Sequence, residues 1–192
     1  MKTVYVLLGL VFAIPSMFIY MRAILRHEIQ PHPFSWLIWG VTSGVAGIAQ
    51  LFSGGGVASW LTIMGALYNL CIVGFGFRTK RGSITMGDWG VFAVALLAIP
   101  LWIITHQPLW SVILVAFIDT TGYVPTFRKS WNNPEKESAG AFFVWGMATA
   151  FTLLALDSYA LVNWLYLATQ LTANMVLACL IWLRRRALVT IN

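Results

Sequence analysis

The chain has 192 residues, of which 59% are hydrophobic and only 9% charged, and its mean hydropathy is +0.80. That leaves too few polar side chains to coat a water-soluble globule. A formal net charge of +6 would point a soluble domain toward nucleic acid, but here the basic residues sit in short connections between apolar stretches, so nucleic-acid binding is not expected.

Seven apolar stretches follow one another over 4–22, 34–52, 57–77, 89–105, 109–127, 139–156 and 160–183. Each has about the 17–25 residues that a helix needs to cross a hydrocarbon core ~30 Å thick. Arg22 and Arg26 follow the first. Arg78, Lys80 and Arg81 follow the third, Arg128, Lys129 and Lys136 the fifth, and Arg184, Arg185 and Arg186 the seventh. The alternate connections, Phe52-Ser-Gly-Gly-Gly56, Thr105-His-Gln-Pro-Leu109 and Leu156-Asp-Ser-Tyr-Ala160, carry no basic residue, and only Lys2 lies on their side. Basic residues gather in cytoplasmic loops, so the expected topology is seven crossings with the N-terminus out and the C-terminus in. Lys2 before an apolar run also resembles a signal peptide. Its removal would discard a well-patterned helix, so a retained first helix is expected.

Sliding the chain by 106 residues lays Arg22 on Arg128, Trp39-Gly40 on Trp145-Gly146 and Ala49 on Ala155, and sliding by 105 lays Asn69 on Asn174. The predicted fold class is therefore an all-α membrane protein of seven helices in a three-one-three arrangement. A first triple-helix unit (1–86), a linker helix (87–106) and a second triple-helix unit (107–192) form one integral membrane domain. Paired repeats enclosing a midplane site are a common transporter plan.

Polar side chains inside a bilayer are costly and usually face a cavity or a partner helix. Asn69 lies nine residues before Arg78, Asn174 ten before Arg184 and Asp119 nine before Arg128. At 1.5 Å per residue each is ~14–15 Å from the inner boundary, near the bilayer centre. In the seventh stretch Asn163, Tyr166, Gln170 and Asn174 follow i, i+3, i+7, i+11 and form one stripe. The repeat sets Gly65 opposite Gln170, a small residue facing a long amide, which leaves room for a ligand. Amides donate and accept without charge and suit a neutral solute rich in hydroxyl or amide groups. The competing reading is that they bond across helices as structural glue. Asp119 has Ala13 as its repeat mate, so it stands outside the symmetric set, a candidate to carry a proton or bind a cation, or else a structural carboxyl held by its neighbours. Most tryptophans fit an interfacial belt. Trp60 and Trp164 open the third and seventh stretches and are candidates for a vestibule, whereas Trp39 and Trp145 read as packing residues.

Other chemistry is not supported. His27, Glu28 and His32 lack metal-ligand spacing, and no nucleophile–base pair or phosphate-cradling loop occurs, so neither an enzyme, a metal site nor a cofactor is expected. A retinal pigment needs a lysine in its last helix, and the last lysine is Lys136. Cys71 and Cys179 both lie within apolar stretches and do not suggest a disulfide framework.

The segment Gly122-Tyr-Val-Pro-Thr-Phe-Arg-Lys-Ser-Trp-Asn-Asn-Pro-Glu-Lys-Glu-Ser138 has a helix ending near proline, a basic residue shortly after, and a serine opening the next helix. With the three-one-three pattern, it resembles the SWEET and PQ-loop superfamily of small-solute transporters. Pro125-Thr126 stands where that family usually has Pro-Gln, and in the first half Ile19-Tyr20 replaces the pair. The resemblance implies substrate contact by Asn69 and Asn174 and hinges at Pro15 and Pro125. Asn163-Trp-Leu-Tyr166 is similar to the last helix of nicotinamide riboside transporters of the PnuC type, which share the architecture. The expected function is a facilitator for a small neutral polar solute, a sugar or a nucleoside-like vitamin, working by alternating access in a bacterial inner membrane. Asn69, Gln170, Asn174, Asn163, Tyr166, Trp60 and Trp164 are the candidate binding residues. Lipid and solute are the expected partners, with a homo-oligomer left open. The alternative is a non-transporting receptor or sensor of the same fold.

Overall fold

A computed structural model describes residues 1–77, 86, 87, 89, 90, 93, 104 and 108–191. The described chain is all-α: α1 (Lys2–Leu25), α2 (Pro33–Phe52), α3 (Ala58–Gly76), α4 (Pro108–Asn132), a 3-10 turn (Pro134–Lys136), α5 (Ala139–Ala155) and α6 (Leu161–Ile191). The expected linker helix over 87–106, and the basic cluster Arg78, Lys80 and Arg81, fall almost wholly outside the described residues. Four helices, α1, α2, α3 and the first 28 residues of α6, are long and apolar enough to cross a membrane, consistent with an integral membrane protein. α5 is apolar but shorter.

The local signals are conventional ones. Pro33 occupies the first turn of α2, where its missing N–H costs nothing. Ser138 caps α5 by accepting a hydrogen bond from the Ala141 N–H. Gly54 ends α2 with φ +75° and Gly56 follows with φ +68°, a left-handed pair that turns the chain into α3. A Cβ on Gly56 would collide with the Asp157 carboxylate, so the turn docks against the α5–α6 connection.

The helices pack in a closed ring. α3 lies between α1 and α2, α6 lies between α4 and α5, and the ring closes through α1 on α5 and α2 on α4. Exchanging α1, α2 and α3 with α4, α5 and α6 leaves this set of contacts unchanged. Glycines let α2 and α3 approach closely: a Cβ at Gly40 would meet Leu70, at Gly44 Ala66, and at Gly47 Ile63. Hydroxyls tie the closing pairs. Ser16, just after Pro15 in α1, donates to the Ala141 carbonyl at 2.8 Å, and Thr126, just after Pro125 in α4, donates to Ser35 Oγ at 3.0 Å. Positions 35 and 141 are 106 residues apart, the offset of the repeat.

Side-chain burial is layered along the helices. One apolar cluster gathers Tyr20, Ile24, Trp36, Trp39, Ile72, Phe142 and Leu177, and a second gathers Ala46, Val112, Val115, Leu156, Val162 and Leu167. Between the clusters lie buried polar side chains, among them Thr42 and Ser43 of α2, Asn69 of α3, Asp119 of α4, Thr149 of α5 and Gln170 of α6. Large apolar side chains also cover the outside: Val4, Leu7, Val11, Ile14 and Phe18 of α1 form an exposed stripe at helical spacing. Such a surface suits lipid rather than water.

Candidate functional site

Between the two clusters lies a polar layer built by five helices. Asp119 of α4 is fully buried, and its Oδ1 accepts from Thr42 Oγ1 of α2 at 2.6 Å and lies 3.2 Å from the Tyr166 hydroxyl of α6. The same hydroxyl is 2.8 Å from Ser43 Oγ and accepts from Gln170 Nε2 at 3.2 Å. Asn69 Nδ2 of α3 donates to Ser43 Oγ at 3.4 Å, and Thr149 of α5 donates to Gln170 Oε1 at 3.3 Å. Asn174 Nδ2 donates to the Tyr123 hydroxyl at 2.9 Å and to the Gln170 carbonyl at 2.8 Å. Asp119, Asn69, Tyr166, Gln170 and Asn174, all singled out from the sequence, therefore meet in one region. Asp119 Oδ2 is buried with no hydrogen-bond partner.

Two cavities flank this layer. The aromatic cavity is a narrow cleft with about 30 Å³ of water-accessible volume. Its polar side chains are Asn69, Gln170, Asn174 and Ser16, and its walls are Tyr20, Trp36, Trp39, Tyr68, Tyr123, Phe142 and Trp145. Among the described residues no charged side chain lines it. The threonine cavity, about 20 Å³ of water-accessible volume, is bounded by Thr62, Thr149, Thr152, Ser43 and small residues such as Gly9, Ala13 and Gly65. Trp145 and Gln170 line both, so this ring and this amide divide one from the other. The indole rests on Gly65, where an added Cβ would come within 3.0 Å of it, and Tyr68 stacks on it at 6.2 Å. Gly65 leaves space, as its small size implies, and Trp145 fills it.

Both ends of the bundle are stapled. At one, Glu137 is wholly buried, accepting from Tyr20 of α1 at 2.6 Å and pairing with Lys129 at 2.5 Å. Lys129 also donates to the Gln30 carbonyl, and Arg185 donates to the Glu137 carbonyl. At the other end Gln50 donates to the Asn163 carbonyl, Asn163 donates to the carbonyls of Ser53 and Ser158, and Lys2 bonds the Leu156 carbonyl. These bonds tie the first three helices to the last three above and below the cavities.

Some sequence-selected residues lie elsewhere. Asn163 is spent on the staple and lines neither cavity. Trp60 is 61% exposed, Trp164 packs beside the second apolar cluster, and neither lines a cavity. Pro15 and Pro125 lie inside α1 and α4. Conversely Trp39 and Trp145, read from the sequence as packing residues, are cavity walls, and Thr42, Ser43, Tyr123 and Thr149 complete the polar layer. The Thr42-Ser43 pair within an apolar stretch was the available signal for two of these. Among the described residues no cluster of His, Cys, Asp or Glu could hold a metal ion, and Cys71 and Cys179 are free and exposed. Comparison of the chain with protein-family models, with curated proteins and with solved structures finds no match.

Proposed function

We propose that the chain is a membrane carrier for a small neutral polar solute, a sugar or a nucleoside-like vitamin, with the aromatic cavity as its binding site. The observation that carries this reading is the pair of adjoining cavities between the stapled ends of the bundle, which share Trp145 and Gln170 as lining residues. Rings offer flat apolar faces and the amides offer donors and acceptors, the usual composition of a small-molecule site. The narrowness of the cavity means that a solute enters only when the walls part. Rocking of the first three helices against the last three supplies that motion, and the exchange-symmetric packing supports treating them as two units related by a repeat. A linker helix over 87–106 completes seven crossings with the C-terminus inside. A C-terminal reporter that is active in the cytoplasm and silent outside is the expected result for this topology, and the reverse pattern overturns it.

Ligand binding is tested by thermal-stability screening of the purified protein against sugars, nucleosides and B-vitamin precursors. A ligand at 100 times its Kd stabilises by about 2.7 kcal/mol, which is readily measured. Asn69→Ala and Asn174→Ala are each expected to weaken the hit by ~1–3 kcal/mol, roughly 5–150-fold, because each strands a polar group of the ligand. Folding survives, since one interhelical hydrogen bond contributes little in lipid. Unchanged affinity in both variants places binding elsewhere and leaves the amides as structural glue. In the same reading Asp119 carries the coupling proton.

A further inference from the structure

A carboxyl that loads and unloads a proton needs a path to water, and Asp119 is 1% exposed. Its Oδ1 has two hydroxyl neighbours. Thr42 Oγ1 leads only to the carbonyls of Ile38 and Trp39 in its own helix, at 2.9 and 3.3 Å, and is a dead end. The Tyr166 hydroxyl leads on to Ser43 Oγ, and Ser43 lines the threonine cavity. A hydroxyl can donate and accept at once, which a relay requires. Gln170 also bonds Tyr166, but through its amide nitrogen, which has no lone pair free to receive a proton. Tyr123, one turn beyond Asp119, lines the aromatic cavity, yet its hydroxyl accepts from Asn174.

We propose that Tyr166 and Ser43 form the proton route between the threonine cavity and Asp119, so that in this arrangement the carboxyl exchanges with that cavity alone. This rests on the reading of Asp119 as the coupling group. Loading moves one proton along each link. A hydronium in the cavity gives its proton to Ser43 Oγ and becomes water. Ser43 passes its own proton to the Tyr166 oxygen, and Tyr166 passes its own to Asp119 Oδ1. The carboxylate becomes a neutral carboxyl, and each hydroxyl ends with one proton, as it began. The chain then runs in the opposite sense, Asp119 donating to Tyr166, Tyr166 to Ser43, and Ser43 to the Trp39 carbonyl, which lies within its reach. Both senses satisfy every hydroxyl along the path, so the structure accommodates either protonation state without moving a heavy atom.

The surroundings favour this route. α2, packed against Asp119, has no titratable side chain between Pro33 and Phe52. α6 presents Tyr166, and α4 itself presents Tyr123 one turn away. The nearest charged residues on α4 are Arg128 and Lys129, more than two turns further along, and Glu135 and Lys136 belong to the turn beyond its end.

The test is infrared difference spectroscopy of the full chain in liposomes after a jump between alkaline and acidic pH. The native protein is expected to gain a protonated-carboxyl band that Asp119→Asn lacks. Tyr166→Phe and Ser43→Ala should gain the same band on the order of 100-fold more slowly, the usual effect of removing a positioned proton-transfer group, and Ser43→Thr should restore the native rate. A native rate in Tyr166→Phe, or in Ser43→Ala should Tyr166→Phe not fold, overturns the route while leaving Asp119 as the proton carrier. A native spectrum without any titrating band specific to Asp119 removes the coupling reading itself, and the route with it.

Discussion

Replacing Glu137 by alanine is expected to remove about 3–5 kcal/mol of unfolding free energy, because it strands a nearly buried cation. The Lys129 side chain is 11% exposed and the Glu137 side chain is fully enclosed, with Lys129 on Oε2 and the Tyr20 hydroxyl on Oε1. Without the carboxylate, Lys129 keeps only the Gln30 carbonyl among the described residues and Tyr20 loses its acceptor. Glu135 provides the control. It sits 3.7 Å from Arg185 with its side chain 69% exposed, so Glu135→Ala should change stability by about 1 kcal/mol or less. Unfolding of both variants in mild detergent measures the contrast. Equal losses would show that the buried pair adds nothing beyond a surface one.

Asp119→Asn is expected to abolish uphill accumulation of solute while leaving exchange down a gradient intact. One proton carried per solute lets a gradient of one pH unit sustain about tenfold accumulation, since each is worth about 1.4 kcal/mol. Asparagine matches the carboxyl in shape and keeps an oxygen for Thr42 and Tyr166, so the layer should remain packed. Uptake into proteoliposomes acidified outside measures the ratio of inner to outer solute, expected near ten for the native protein and near one for the variant. Native accumulation by Asp119→Asn would make Asp119 a structural residue.

Much of this arrangement is legible in the sequence, because membrane helices carry their apolar run and their boundary charges together. The first three stretches and the last three correspond to described helices. The depth argument, counted back from Arg78, Arg128 and Arg184, groups Asn69, Asp119 and Asn174, and the helical stripe adds Tyr166 and Gln170. Asp119 meets Tyr166 and Asn69 meets Ser43, whereas Asn174, about two turns further along α6 than Tyr166, bonds Tyr123. Helical phase alone could not separate Asn163 from that stripe, because the stripe says which face a residue lies on and not which end of the bundle claims it. Asn163 lies about two turns before Gln170 and reaches the loop carbonyls of Ser53 and Ser158. Trp39 and Trp145 were hidden for a related reason. An indole in an apolar stretch packs and lines a cavity with the same surface, and only the empty space beside it distinguishes the two. Glu137 and Glu135 differ by two positions in one short loop, so composition gives no hint that one is enclosed and the other faces solvent.

The most direct test of the carrier reading is counterflow in proteoliposomes preloaded with unlabelled solute from the stability screen. Labelled solute outside should enter transiently above its equilibrium level through the native protein, and Asn174→Ala should reduce that overshoot at least about fivefold. Solute that stabilises the protein yet shows no counterflow above protein-free liposomes would contradict transport and identify the cavity as a sensor's ligand site.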